Sequence, residues 1–231
     1  MEAIFFDLDD TLYDATTYFS SAFKQVASYL SCHFLLSESL ILDTLWNIFY
    51  QRGSLYSKLF DDTLATLQLQ PNKSLVRKLV GLFHEAPTSL IRLYEDVREI
   101  LPRLAMKYKL GLITNGNAKM QRRKVAALGL EKLMTVIIYS DDIKSPKPGT
   151  YAYEYALKTA IVSPQESLYV GDNPYVDFIG AKRVGMHTIR ILRGEFALIQ
   201  TNCEYIDAKV NNFYELVYCL QSLEAESGIK S

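Results

Sequence analysis

The chain has 231 residues, 49% of them hydrophobic, which is enough for a sizeable core and for one or two domains. Its 25 basic and 26 acidic residues leave a formal charge of -1, which excludes the basic stripe of a nucleic-acid binder and makes partners a matter of local sites. Cys32, Cys203 and Cys219 are too few and too irregular for a disulfide framework; with no basic leader and no apolar run near ~20 residues, the expectation is a cytoplasmic protein, monomer or homodimer, that binds neither membrane nor nucleic acid.

The first predicted strand is "AIFF" (3–6), and it leads straight into "DLDDTLYD" (7–14), where Asp7, Asp9, Asp10 and Asp14 crowd together. From there to about Tyr94 only helical stripes follow. Phe19, Phe23, Val26 and Leu30 form the first, and Ile41, Leu45 and Phe49 the second. Tyr56, Phe60, Leu64 and Leu67 form the third, and Val76, Leu79, Val80 and Phe83 the fourth. A crossover between parallel strands needs only a dozen or so residues, so this stretch is an inserted helical module. Val97, Ile100, Leu101 and Leu104 mark a further helix, in which Pro102 implies a late start or a bend. Then come the runs "LGLI" (110–113), "TVIIY" (135–139), "SLYVG" (167–171) and "HTIRIL" (187–192), with helical patterns between them and a last helix around Phe213–Leu223. Strands alternating with helices imply an α/β fold: a doubly wound, Rossmann-like parallel sheet covered on both faces. The expected domains are a core of 1–14 with 95–231 and an all-helical cap of 15–94.

Three predicted strands end in polar residues: the first in Asp7, the second in Thr114 and Asn115, the fourth in Asp172. Ligands of open α/β sheets bind in the crevice beyond the carboxyl ends of the strands. One such residue is often a mere turn or cap, but three would line one crevice. Asp7, Asp9, Asp172 and Asp177 together overload it with negative charge, and a buried unpaired ion costs several kcal/mol. Carboxylates without His or Cys point to Mg²⁺ as the missing cation. "SPKPG" (145–149) sets Lys147 on a stiff loop between two prolines, where it is either an exposed turn lysine or a fixed ammonium facing the carboxylates. "ITNGN" (113–117) offers a hydroxyl and a loosened backbone ahead of a helix, the makings of an anion cradle.

In order and spacing, "DLDDT" (7–11), Thr114 in "TNG", Lys147 in "SPKPG" and "GDNPYVD" (171–177) resemble the four motifs of the haloacid dehalogenase superfamily, over the whole chain. The resemblance implies a phosphatase. Asp7 would be the nucleophile that forms an aspartyl phosphate, and Asp9 the general acid–base. Thr114, Asn115 and Lys147 would bind the phosphoryl group. Mg²⁺ would be held by Asp7, the Asp9 backbone carbonyl and Asp172, with Asp177 an outer ligand or orienter. A carboxylate at Asp9 favours phosphoryl chemistry over dehalogenation, whose halide leaves without a proton. The substrate implied is a small phosphate ester, of the nucleotidase-like or the sugar- or acid-phosphate kind. The alternatives are a sugar-phosphate mutase and a non-catalytic regulatory domain that keeps the fold.

The remaining candidates read as structural. Asp7 and Asp9 would share one side of an extended strand end, whereas Asp10 reads as a solvated turn residue and Asp14 as a helix cap. His33, His84 and His187 lack partners at metal spacing. Tyr18, Tyr29 and Tyr56 fall on apolar stripes, and "MQRRK" (120–124) reads as a solvated helix face. Cys32 has no activating neighbour.

Overall fold

The computed structural model describes residues 1–201 and 204–228, so Cys203 lies outside the described residues; Cys32 is exposed, Cys219 half-buried, and both are free thiols. The chain divides into two compact units, Met1–Ala15 with Ile91–Ser231, and Thr16–Leu90. Among the described residues no helix is long and apolar enough to cross a membrane.

The first unit is built on six parallel strands: β1 (Ala3–Phe6), β2 (Lys109–Thr114), β3 (Val136–Tyr139), β4 (Ser167–Gly171), β5 (His187–Ile191) and β6 (Ala208–Val210). They lie in the order β3-β2-β1-β4-β5-β6. Five were expected from the sequence. The sixth, "AKV", is a three-residue edge strand, too short for any period to announce it. β1 sits in the middle and is apolar throughout, because both its faces are covered. Ala3 and Phe5 enter a cluster with Tyr153, Ala156, Leu157 and Ala181, from α7 (Tyr151–Ala160) and α8 (Phe178–Arg183). On the other face Phe6 stacks on Phe213 at 5.6 Å between centroids, the first residue of α9 (Phe213–Gly228).

Register brings the chemistry-bearing residues to one level. Phe6 pairs with Leu112 on one side and Val170 on the other, so Asp7 emerges between the ends of β2 and β4, and its N–H still donates to the Val170 carbonyl at 2.9 Å. Thr114 closes β2, and Asp172 follows β4 directly. α6 (Ala118–Ala127) starts just past β2, capped by Asn117, whose side chain accepts from Met120 N.

α5 (Glu95–Ala105) begins ahead of Val97 with Pro102 inside it, so the proline does not delay its start. The buried Val97, Ile100, Leu101 and Leu104 hold the helix in spite of the one missing N–H.

The second unit contains four helices: α1, which opens at the unit boundary (Ala15–Phe34), α2 (Glu38–Arg52), α3 (Leu59–Thr66) and α4 (Lys73–His84). Its core gathers Phe23, Leu30, Ile41, Leu45, Phe49 and Leu79. Tyr18 is buried and donates to the Phe83 carbonyl at 2.7 Å. The third stripe is shorter than its spacing implied: Leu67 follows α3, and Tyr56 precedes it, donating to Asp62 at 2.6 Å instead of joining the core.

One buried cation fixes backbone at the carboxyl end of the sheet. Arg190 on β5 is fully buried and donates to the carbonyls of Asp172 (3.0 Å), Ile199 (3.0 Å) and Phe196 (2.5 Å). Arg190→Met should therefore cost about 3 kcal/mol or more, since it strands several buried acceptors. A lower chemical-denaturation midpoint for the purified variant is the expected readout; an unchanged one contradicts this role.

Candidate active site

Lys147 is the hub of the site. It is buried, and its ammonium donates to Asp7 Oδ1 at 2.5 Å, Asp177 Oδ1 at 2.7 Å and Tyr169 Oη at 2.8 Å. It is thus no exposed turn residue. Burial by itself would depress an ammonium, but the carboxylates of Asp177 and Asp7 outweigh it and hold Lys147 above the ordinary lysine range. Asn115 fixes the loop from below: its amide oxygen accepts from Lys147 N and its amide nitrogen donates to the Lys147 carbonyl, both at 3.0 Å.

Around this one cation stand three carboxylates. Asp7, Asp172 and Asp177 each present an oxygen within 4.8 Å of the others'. Asp177 is already committed, to Lys147 through Oδ1 and to Asn173 N through Oδ2 at 2.9 Å. That fit depends on Gly171, where a Cβ would meet Asp177 Oδ2 at 2.5 Å. Among the described residues the Asp172 carboxylate takes only a long bond, from Thr11 Oγ1 at 3.4 Å. Burial, with the charges of Asp177 and Asp7, pushes its carboxyl well above the usual carboxylate range. Asp7 is pushed up to about 7, by burial first; Lys147 opposes the rise and the charges of Asp177 and Asp9 add to it. Three acids against one ammonium leave an excess of negative charge on hard oxygens, the donor set that suits a small divalent cation.

Asp9 is held quite differently. β1 ends at Phe6, so Asp7 and Asp9 do not continue an extended strand; the chain turns, and the two carboxylates meet different cations. Asp9 Oδ1 accepts from Lys124 Nζ at 2.7 Å and from Tyr13 Oη, and Oδ2 from Gln121 Nε2 at 2.8 Å. Partial burial would raise its pKa, but the charge and hydrogen bond of Lys124, with the bonds from Tyr13 and Gln121, hold it below the usual range. Gln121 Nε2 also donates to Thr114 Oγ1 at 2.6 Å, which links Asp9 to the end of β2.

Asp10 is buried rather than solvated. It adopts a φ of 55° and accepts from Ala15 N at 3.0 Å and Glu195 N at 3.3 Å, tying the start of α1 to the loop after β5. Gly194 makes this possible: at its φ of +60°, a Cβ would lie 2.1 Å from the Asp10 side chain.

Tyr13, Gln121 and Lys124 were missed in the sequence, and "MQRRK" is not a solvated face: Gln121 and Lys124 are buried, and Arg122 is exposed. The signal was there. Gln121, Lys124, Val125 and Leu128 follow i, i+3, i+4, i+7 spacing, so the two polar residues share the apolar stripe. The three histidines hold no place in the acidic cluster; the ring of His33 is exposed and pairs with the Tyr29 carbonyl.

Residues 4–191 match the family model described as haloacid dehalogenase-like hydrolase. The chain is 32% identical to a glyceraldehyde 3-phosphate phosphatase of Pyrococcus furiosus, over 99% of this chain and 95% of that one. It is 29% identical to a glyceraldehyde 3-phosphate phosphatase of Methanocaldococcus jannaschii, over 98% and 100%. Among solved structures, an HAD phosphatase from Thermococcus onnurineus matches with a TM-score of 0.67 at 24% identity, over 95% of this chain and 98% of that one. A second, the HAD-hydrolase YfnB of Bacillus subtilis bound to magnesium, matches with a TM-score of 0.74 at 19% identity, over 95% and 98%. These neighbours share the fold.

The raised carboxyl of Asp7 has a measurable consequence. The folded state keeps a proton that the unfolded chain releases from its value of 3.8, so stability falls as pH rises from there to about 7. Asn cannot titrate. In metal-free buffer, denaturation curves should show Asp7→Asn gaining on the native chain across that interval, by about 1.4 kcal/mol per pH unit at most. Parallel pH profiles for the two proteins contradict it.

Proposed function

The chain belongs to the haloacid dehalogenase-like hydrolases, and we propose that within this family it is a Mg²⁺-dependent phosphatase working through an aspartyl phosphate on Asp7. As a phosphoric monoester hydrolase it acts on a small-molecule phosphate. Two relatives that match nearly end to end, at 29% and 32% identity, are glyceraldehyde 3-phosphate phosphatases, which makes a triose phosphate the first substrate to test, ahead of nucleoside monophosphates and other sugar or acid phosphates.

One observation carries the mechanism: Asp7 and Asp9, two positions apart in the chain, are served by separate lysines, Lys147 and Lys124. Asp7 attacks phosphorus, and the bond to the ester oxygen breaks as the acyl phosphate forms. Asp9, protonated for this step, gives its proton to the departing oxygen. In the second step Asp9 is the base. It takes a proton from the water that attacks the acyl phosphate, and phosphate leaves while the Asp7 carboxylate is restored. The donors around Asp9 hold its carboxyl below the usual range, which favours the form that the second step requires. Thr114 Oγ1 and the Asn115 backbone amide bind the phosphoryl oxygens, and Lys147 balances their charge.

Asp7 and Asp172 would hold a divalent cation, joined by the Asp9 backbone carbonyl, and Asp177 would orient the set through Lys147 and Asn173. Bound there, Mg²⁺ supplies the positive charge that keeps Asp7 ionised and offsets the phosphoryl oxygens. Water as the acceptor distinguishes this reading from a mutase, in which a second sugar hydroxyl takes the phosphoryl group.

Phosphate release from glyceraldehyde 3-phosphate, nucleoside monophosphates and phosphoglycolate, with Mg²⁺, tests the assignment. The triose phosphate should turn over fastest, and Asp7→Asn should lower kcat at least about a thousandfold. Isomerisation of a sugar phosphate without release, or full activity of Asp7→Asn, refutes it.

Metal dependence is a separate expectation. Chelation should abolish turnover and added Mg²⁺ should restore it, with protons released on metal binding because Asp7 and Asp172 are held at raised pKa. Calorimetry in two buffers of different ionisation enthalpy reads that release; a buffer-independent heat contradicts it.

A further inference from the structure

The cradle around Asp9 is built from residues that lie outside the four motifs. Lys124 and Gln121 are 3% and 1% exposed, whereas the Asp9 side chain keeps 34% of its surface open. The donors are rooted in the protein, and the carboxylate they hold faces outward. Lys124 Nζ also lies over the Tyr13 ring, 5.8 Å from its centroid. Asp9 thus has a donor on each oxygen from a different side: Lys124 and Tyr13 on Oδ1, Gln121 on Oδ2.

A simple anchor for α6 does not account for this arrangement. The helix is already seated by the buried Val125 and Leu128, capped by Asn117, and tied by its first N–H to Asp141 at 3.2 Å. Burying a lysine to reach a carboxylate that is itself a third open to solvent is a poor stabilising device, because desolvation offsets the attraction. Gln121 adds a second sign. Among the described residues its Oε1 is buried with no hydrogen-bond partner, a cost of about 1–3 kcal/mol. The amide is placed for its donor end alone. Turned over, it would set Oε1 against Asp9 Oδ2 and lose both bonds that Nε2 makes.

We propose that Gln121 and Lys124, together with Tyr13, are positioning residues that hold the Asp9 carboxylate in its proton-transfer orientation, with Gln121 coupling it to the phosphate-binding hydroxyl of Thr114. The proposal rests on the reading of Asp9 as the acid–base group. Residues one turn apart on α6 thereby align both ends of the reaction: the proton that goes to the leaving oxygen, and the hydroxyl that binds the phosphoryl group. Misalignment of Asp9 harms esters in proportion to their need for that proton. An alkoxide leaving group depends on it; a p-nitrophenolate leaves almost without it.

The test is kcat/KM at saturating Mg²⁺ for p-nitrophenyl phosphate and for a primary alkyl phosphate. The proteins compared are the native chain, Gln121→Met, Gln121→Glu, Lys124→Met, Asp9→Asn and Asp7→Asn. kcat/KM reports the step in which the leaving group departs. The Gln121 and Lys124 variants should lose about tenfold or less on the aryl ester and about a hundredfold or more on the alkyl ester, within the 10²–10⁴-fold that general acid catalysis supplies. Asp9→Asn should show the same trend, more steeply. Gln121→Glu should be worse than Gln121→Met, because it sets carboxylate against carboxylate. Equal losses on the two esters, or none, overturn the positioning role while Asp9→Asn keeps its leaving-group dependence. If Asp9→Asn shows no such dependence, the acid–base reading falls and the positioning role with it; full activity of Asp7→Asn removes the phosphatase mechanism altogether. Should Lys124→Met fail to fold, the two Gln121 variants decide.

Discussion

The site depends on one electrostatic constraint: Asp7, Asp172 and Asp177 crowd around the single ammonium of Lys147. A buried pair holds only where geometry and extra hydrogen bonds repay desolvation, and here a third acid exceeds what one lysine can neutralise. Much of the neighbouring architecture serves this crowding. The register of β1 between β2 and β4 brings the strand ends level. The bare backbone at Gly171 admits the Asp177 carboxylate. Tyr169 shares the lysine's protons, and Tyr153 donates to the Asp177 carbonyl at 2.6 Å.

Asp9 shows the opposite solution a few residues away. Its own lysine and two further donors hold its carboxyl below the usual range, while burial raises those of Asp7 and Asp172. Environments that push neighbouring carboxylates apart suit the proposed division of labour, in which one acts as nucleophile and the other handles protons. The family places the two acids in sequence; α6 and Tyr13 make them different.

The same division runs through the loops. Arg190 holds the Asp172 carbonyl together with those of Phe196 and Ile199, and Asp10 reaches the backbone of Glu195. Neither carries chemistry in the proposed mechanism. Both use buried charge to fix backbone, which suits a site whose catalytic atoms stand at the ends of strands and on loops instead of within regular structure.

Much of this was legible in the chain itself. Short apolar runs alternating with helical stripes specified a parallel sheet covered on both faces, since only that arrangement buries strands such as "AIFF" completely. Polar residues at strand ends marked Asp7, Thr114 and Asp172 because a parallel sheet brings its carboxyl ends to one edge. Patterning reports only which face of an element is buried, however, and cannot report which partner lies across it. Gln121 and Lys124 carried the right spacing, yet a polar residue on an apolar stripe gains meaning only when Asp9, 112 positions before Gln121, is folded against it. Asp10 reads as a turn residue until Gly194 and Glu195 arrive from the far end of the chain, and a three-residue edge strand has no period to show. Local periodicity determined the layers and the strand-end acids; long-range packing decided how each acid is charged, because that depends on burial and on which cation lies beside it.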